Sequence, residues 1–290
     1  GLGRFAAAFP ERTFDVGIAE QHAVVSAAGL ARSGLHPVVA LYATFLNRAF
    51  DQVLMDASLH GVGLTIALDR AGITGTDGPS HNGMWDMSLL GVVPGVQLAA
   101  PRDQARLVAA LDRAVSVDDA VTVVRYSKER LPDELPEVAH MGEGLSRVDV
   151  LRRADGARVL IVAYGQFAGM GMAMADRLGD QGVAASVVDP LWALPVSADL
   201  VRLAGEYDLV VTLEDNLVEG GVGQKLRARL AESGAQARVL TFGIPQRFLA
   251  HGSRDEVLDE IGLTAAKASL EVLGVVLSTA DVDEEAGRPA

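Results

Sequence analysis

The chain has 290 residues, a formal net charge of −13, 49% hydrophobic residues and no cysteine. So acidic a balance argues against a nucleic-acid partner or an anionic membrane surface, and an anionic substrate would need a local cluster of arginines. The absence of thiols excludes disulfides and thiolate metal sites, while the length and apolar content suit two domains with cores of their own.

Thr13 to Val16 reads as a short strand, and about Ala19 to Ser33 as a helix stopped by Gly34. Ala23, Ala27, Leu30 and Ala31 recur at helical spacing. Glu20 falls in the first turn, where the helix dipole favours a carboxylate. That favour alone accounts for it without function, although a carboxylate beside a strand end could also hold a ring nitrogen or a metal. Pro37 to Leu41 is a second strand, running into Tyr42-Ala43-Thr44. A helix after it places Phe45 and Arg48 three apart on one face.

Leu64 to Leu68 is an unbroken apolar run of the kind found in buried parallel strands. It spills into a loop, Asp69 to Gly83, that holds four glycines and Pro79 together with Arg70, Asp77 and His81. Glycine and proline let a backbone turn sharply and approach a ligand closely. In an open α/β sheet, ligands sit beyond the carboxyl ends of the strands. A cation, an acid and a base in one such loop therefore mark a candidate site rather than a surface turn.

A short helix near Met84 to Leu90, a strand at Val96 to Ala99 and a helix from about Asp103 to Ser116 follow. The strand Val121 to Val124 delivers Arg125 and Tyr126 at its end. Alternating strands and helices predict a parallel, doubly wound α/β sheet whose carboxyl edge presents Tyr42, Arg70 and Arg125 together. Residues 1–127 form the expected first domain, and the charged, proline-containing segment 128–146 the linker. A second αβ domain is expected over 147–280, with an acidic, mobile tail at 281–290. Its turn Gly220-Gly221-Val222-Gly223 lacks the spacing of a dinucleotide fingerprint and reads as a packing turn.

Three stretches carry a family resemblance: Asp15-Val16-Gly17-Ile18-Ala19-Glu20-Gln21-His22, the run Tyr42 to Gln52 (Tyr-Ala-Thr-Phe-Leu-Asn-Arg-Ala-Phe-Asp-Gln), and the Asp69–Gly83 loop. Together they resemble the 1-deoxy-D-xylulose-5-phosphate synthases, thiamine diphosphate enzymes of the transketolase type. The likeness extends over essentially the whole chain, as that family's second and third domains. It implies a pyrimidine-binding domain followed by a transketolase C-terminal-like domain. It also implies a transferase that condenses pyruvate with D-glyceraldehyde 3-phosphate, with loss of CO2, to 1-deoxy-D-xylulose 5-phosphate for isoprenoid, thiamine and pyridoxal synthesis.

Under the resemblance Glu20 meets the cofactor's aminopyrimidine and sets its tautomer, Phe45 packs on that ring, and Arg48 lies nearby. Tyr42, Arg70 and Arg125 match the phosphate-binding positions, His81 matches a histidine near the reacting carbon, and Asp77 orients the loop. The family's Arg-Tyr-Pro-Arg-Gly run is here Arg125-Tyr126-Ser127-Lys128-Glu129, and Lys128 keeps the charge without the bidentate fork. The cofactor's diphosphate is held in the family through Mg²⁺ by a Gly-Asp-Gly motif, which this chain does not contain.

The expectations are therefore no metal ligands in this chain, weak cofactor binding by it alone, and a loop left mobile without the cofactor. A chain opening on Gly1 without methionine suggests a fragment or processed product, its N-terminal domain present as a separate chain or removed, and its assembly a homodimer. No signal peptide and no apolar run approaching about 20 residues is apparent, so a cytoplasmic location is expected. Two alternatives remain at this point: a 2-oxo acid dehydrogenase beta subunit, whose lipoyl acceptor gives phosphate-binding arginines no role, and a non-catalytic scaffold of the same fold.

Overall fold

A computed structural model describes residues 2–286. After a short helix α1 (Gly3–Ala8), residues 13–18 are irregular, turning at Gly17, and have no strand partner, contrary to the expected strand over Thr13–Val16. The reason lies in exposure: Phe14 is 72% and Ile18 88% exposed, so no neighbour rewards pairing. Helix α2 (Glu20–Arg32) follows, burying Ala23, Val24, Ala27 and Ala28 on one face. Strand β1 (Val38–Tyr42) then leads into a tight 3₁₀ stretch, Ala43–Ala49, and a wider π-helical stretch, Gln52–Ser58. This differs from the regular helix expected across Phe45 and Arg48; the tighter winding still leaves the two side chains in contact.

The rest of the first unit comprises β2 (Leu64–Asp69), α3 (Asp86–Leu90), β3 (Gln97–Ala99), α4 (Gln104–Ala114) and β4 (Val121–Arg125). The segment read as linker contributes β5 (Ala139–Met141), which pairs with the second unit. That unit runs β6 (Val148–Arg152), β7 (Val159–Ala163), α5 (Ala168–Gly179), β8 (Ala185–Asp189), β9 (Trp192–Leu194), α6 (Ala198–Ala204), β10 (Leu209–Leu217), α7 (Val222–Ser233), β11 (Arg238–Ile244), α8 (Arg254–Glu260) and α9 (Ala265–Ala286). The acidic segment from Asp281 thus begins inside a helix; residues 287–290 of the expected tail lie outside the described residues.

Two sheets result, in the orders β1-β2-β4-β3-β9 and β11-β10-β7-β8-β6-β5. Strands β1 to β4 are mutually parallel, as are β11, β10, β7 and β8, and both cores are filled by their apolar runs. This is the α/β architecture that strand–helix alternation predicts. Strand β9 has no counterpart in the sequence expectations. It leaves the second unit to pair antiparallel with β3 of the first, carrying the buried Trp192.

A buried charge cluster closes the same seam. Arg102, before α4, donates at 2.8 Å to both Asp149 on β6 and Asp189 on β8. Two carboxylates crowd one guanidinium out of water, and burial pushes Asp189 up to about 7.

The stretch Arg254–Ser278 does meet the length and composition of a membrane span, at a mean hydropathy of 1.5, which corrects the expectation from sequence. It is broken between α8 and α9 at 261–264, and it buries Val257, Ala268 and Val272 in the second core. Leu270 and Leu277 of the same stretch are exposed, so only part of its apolar surface packs in the domain.

Candidate active site

The carboxyl ends of β1 and β2 meet in register, with Tyr42 opposite Asp69. Partners across a sheet share a face, so the residues that follow are brought over one another. The Arg70 guanidinium lies 4.0 Å from the centre of the Tyr42 ring. Phe45 stacks on Tyr42 with centroids 5.9 Å apart, and His81 meets Phe45 edge-on at 5.6 Å. Arg48 covers Phe45 at 5.1 Å and reaches both Glu20 oxygens at 3.3 Å. Tyr42, Phe45, Arg48, Glu20, Arg70 and His81 therefore form one continuous surface, from three separated stretches of sequence.

Each member has a local reason for its place. Glu20 opens α2 with its side chain 10% exposed, and one Arg48 nitrogen donates to both of its oxygens at 3.3 Å. A carboxylate has lone pairs for about four donors, so this one keeps acceptor capacity beside an aromatic face. Arg70 has φ +61, a left-handed backbone uncommon for a residue with a Cβ. Asp69 stabilises that turn from both sides, accepting from the Arg70 amide and from its guanidinium at 2.8 Å each. Strain held at a strand end against a cationic side chain is a mark of function.

Asp77 sits between two cations, with Arg70 at 3.7 Å and Lys128 at 2.8 Å. The hydrogen bond from Lys128, assisted by its charge and that of Arg70, lowers the Asp77 carboxyl below its ordinary value. His81 exchanges a 2.9 Å hydrogen bond with the Ser80 hydroxyl.

The expectation that Arg125 joins Arg70 is corrected. Its Cα pairs with Leu68, one residue out of step with Asp69, so its side chain leaves the other face of the sheet. There it forks onto Asp86 of α3 at 2.6 and 3.1 Å and donates to the Asp215 carbonyl at 2.9 Å. Burial opposes the guanidinium charge, Asp86 outweighs it, and the pKa of Arg125 is raised. The cation that the sequence gives no phosphate role, Lys128, is the one that shares Asp77 with Arg70. Its signal is the retained sign of charge at a departure from the family's run; the Asp77 partner cannot be seen without the fold.

Hydrogen bonds tie the loop at several points. Its two ends close on each other through the Gly72 amide and the Gly83 carbonyl at 2.7 Å. Asn82 accepts from the amide and hydroxyl of Thr74, and Thr44 donates to the Ser80 carbonyl.

The glycine turn at 220–223 is filled from within. Glu214 accepts from the amides of Val222 and Gly223 at 2.9 and 3.0 Å, occupying the α7 terminus that an anion would use. Burial pushes Glu214 up to about 8 despite those bonds. Among the described residues no group of three or more His, Asp or Glu is arranged to hold a metal ion.

Comparisons with known proteins bear on the family and the fold. Residues 1–134 match the family "Transketolase, pyrimidine binding domain", and residues 148–268 match "Transketolase, C-terminal domain". The chain is a pair of transketolase-family domains. It is similar to the 1-deoxy-D-xylulose-5-phosphate synthase of Clavibacter sepedonicus, 53% identical over 96% of this chain and 42% of that protein. It is also similar to 1-deoxy-D-xylulose-5-phosphate synthase 2 of Streptomyces avermitilis, 55% identical over 95% of this chain and 43% of that protein. A solved structure described as a split gene transketolase, inactive beta4 tetramer, superposes with a TM-score of 0.81 at 29% identity, covering 92% of this chain and 86% of that one. The chain spans less than half the length of the curated relatives it matches.

Proposed function

We propose that this chain supplies the pyrimidine-binding and acceptor-binding side of a 1-deoxy-D-xylulose-5-phosphate synthase. The reaction is the thiamine diphosphate-dependent condensation of pyruvate with D-glyceraldehyde 3-phosphate, with release of CO2. The observation that carries the reading is the single surface joining Glu20, Phe45 and Arg48 to Arg70, Tyr42 and His81. One end suits an aminopyrimidine, and the other suits a phosphate.

Bound thiamine diphosphate supplies an electron sink for the carboxyl carbon's departure. Glu20, at the foot of the Phe45 ring, meets a ring nitrogen of the aminopyrimidine and fixes its tautomer. Phe45 gives the ring an apolar face, and Arg48 orients the Glu20 carboxylate. At the other end Arg70, backed by Tyr42 and accompanied by Lys128, receives the aldehyde's phosphate. A guanidinium donates two parallel bonds to such a group, each charge-assisted bond contributing about 1.5–3 kcal/mol. Asp77 neutralises the two cations until phosphate replaces it. His81 lies between the two ends, where a proton reaches the oxygen of the acceptor aldehyde.

Further parts of the proposal concern assembly. The cofactor's diphosphate and Mg²⁺ are held by a further domain, on the same polypeptide or another chain, and the assembly is dimeric and cytoplasmic. Support comes from the shorter span relative to its relatives and from Phe14 and Ile18, exposed immediately before Glu20 where another domain would cover them. A paired arginine and lysine at the acceptor end has no role for a lipoyl group, which disfavours a 2-oxo acid dehydrogenase beta subunit. The test is CO2 release from pyruvate by the chain assembled with its diphosphate-binding domain. Release that requires glyceraldehyde 3-phosphate and falls at least about a hundredfold in Glu20→Ala supports the reading; release that ignores either change refutes it.

A further inference from the structure

The candidate-site loop is moulded by the C-terminal domain. Three loop glycines, Gly72, Gly75 and Gly78, have φ of +79, +76 and +81, and each lies hard against that domain. A Cβ on Gly72 would fall 2.1 Å from the Asp215 carboxylate. One on Gly75 would fall 2.8 Å from the Arg254 backbone, and one on Gly78 2.8 Å from the His251 ring. These glycines are therefore required for close approach as well as for turning.

The grip centres on Ile73. Asp215 accepts from its amide at 3.1 Å, and Arg254 donates to its carbonyl at 2.7 Å. The two grips are themselves joined by a 2.8 Å ion pair between Arg254 and Asp215, whose side chains are 13% and 8% exposed. Both polar groups of one residue are thus clamped by a mostly dehydrated pair from the other domain. Three residues upstream, Arg70 holds a left-handed backbone against the Tyr42 ring. Between them Ala71 is tied to the Tyr126 carbonyl at 3.0 Å. Only Ala71 and Gly72 separate the clamped Ile73 from Arg70.

We propose that Asp215 and Arg254 are positioning residues for the acceptor end of the site, setting where Arg70 meets the phosphate. The inference rests on the function proposed above. It gives the C-terminal domain a part in acceptor selection as well as in assembly.

The test compares Asp215→Ala, Asp215→Asn and Arg254→Lys in the enzyme assembled with its diphosphate-binding domain. Steady-state kinetics for both substrates are combined with amide exchange over residues 70–83. Asp215→Ala should raise KM for glyceraldehyde 3-phosphate about tenfold and leave KM for pyruvate within about twofold, because misplacement of a binding group by a fraction of an ångström is felt where that group binds. The Ile73 amide should exchange faster in the same variant. Asp215→Asn retains an oxygen acceptor for Ile73 and should recover most of the loss, and Arg254→Lys should fall between the two. Equal changes in both KM values, or faster exchange with an unchanged aldehyde KM, would overturn the positioning role and leave the proposed function standing. A parent enzyme with no aldehyde-dependent turnover would overturn both. Should Asp215→Ala fail to fold, the kinetic split in Arg254→Lys decides, with Asp215→Asn remaining near the parent.

Discussion

Arg70 and Arg125 leave the carboxyl ends of adjacent strands in one sheet, yet they have opposite fates. Arg125 is buried in a fork with Asp86 and capped by the Asp215 carbonyl, so its charge is consumed within the protein. Arg70 lies on an aromatic ring, paired with Asp69 and Asp77, and its side chain stays partly exposed. What separates them is the backbone: Arg125 ends β4 paired with Leu68 and follows its face into the packed seam, whereas Arg70 lies one residue past β2 with φ +61, a left-handed turn that lays its side chain on the Tyr42 ring. A cation at a strand end is a binding group only where the sheet face beyond it is left uncovered.

The comparison is broken most severely at its buried member. Arg125→Ala leaves the Asp86 carboxylate buried without its partner, and such losses cost about 3–5 kcal/mol. Chemical denaturation should show that drop, with both substrates affected alike because the seam between domains is damaged. Arg70→Ala should cost less than about 1 kcal/mol of stability, as half-exposed pairs do. It should instead raise KM for glyceraldehyde 3-phosphate by about ten- to a hundredfold, the equivalent of one charge-assisted hydrogen bond to the phosphate. A stable Arg125→Ala protein with a selective aldehyde defect would invert the assignment.

Glu214, beside the same seam, sharpens the contrast through pH. Burial lifts its folded pKa from 4.5 to about 8, so the native state holds a proton that the unfolded chain gives up. Its contribution is fully present below pH 4.5 and is lost as pH rises through about 8. The slope is at most about 1.4 kcal/mol per pH unit over that window. Glu214→Gln should flatten the fall measured by denaturation across that range. An unchanged slope would mean that Glu214 is ionised in the native protein. The smallest effect is expected at Lys128, a point charge near the surface. Lys128→Met should raise the aldehyde KM only about two- to fivefold, and the difference from the parent should shrink at high salt.

The same contrast explains what is legible in the sequence. The apolar run Leu64–Leu68 and its glycine-rich continuation announce a buried strand and a ligand loop because their chemistry is local. Glu20, Phe45 and Arg48 are legible as site residues only through family resemblance, and the structure brings them into contact. Arg125 is misplaced by sequence reasoning because register is a pairwise property of two strands, and its partner Asp86 lies on a short helix 39 residues away. The place of Lys128 is hidden because its partner, Asp77, is 51 residues distant. Strand β9 and the Asp215–Arg254 clamp are invisible for the same reason: each acts across domains, where periodicity carries no information.

Arg70, rather than Arg125, is the cation proposed to bind the phosphate at the acceptor end. That role is tested most directly by comparing D-glyceraldehyde 3-phosphate with unphosphorylated D-glyceraldehyde as acceptor, in the assembled parent enzyme and in Arg70→Ala. Removal of the guanidinium should lower kcat/KM for the phosphorylated aldehyde at least about tenfold more than for the unphosphorylated one, as expected for one charge-assisted hydrogen bond. Equal losses for the two aldehydes would contradict the account.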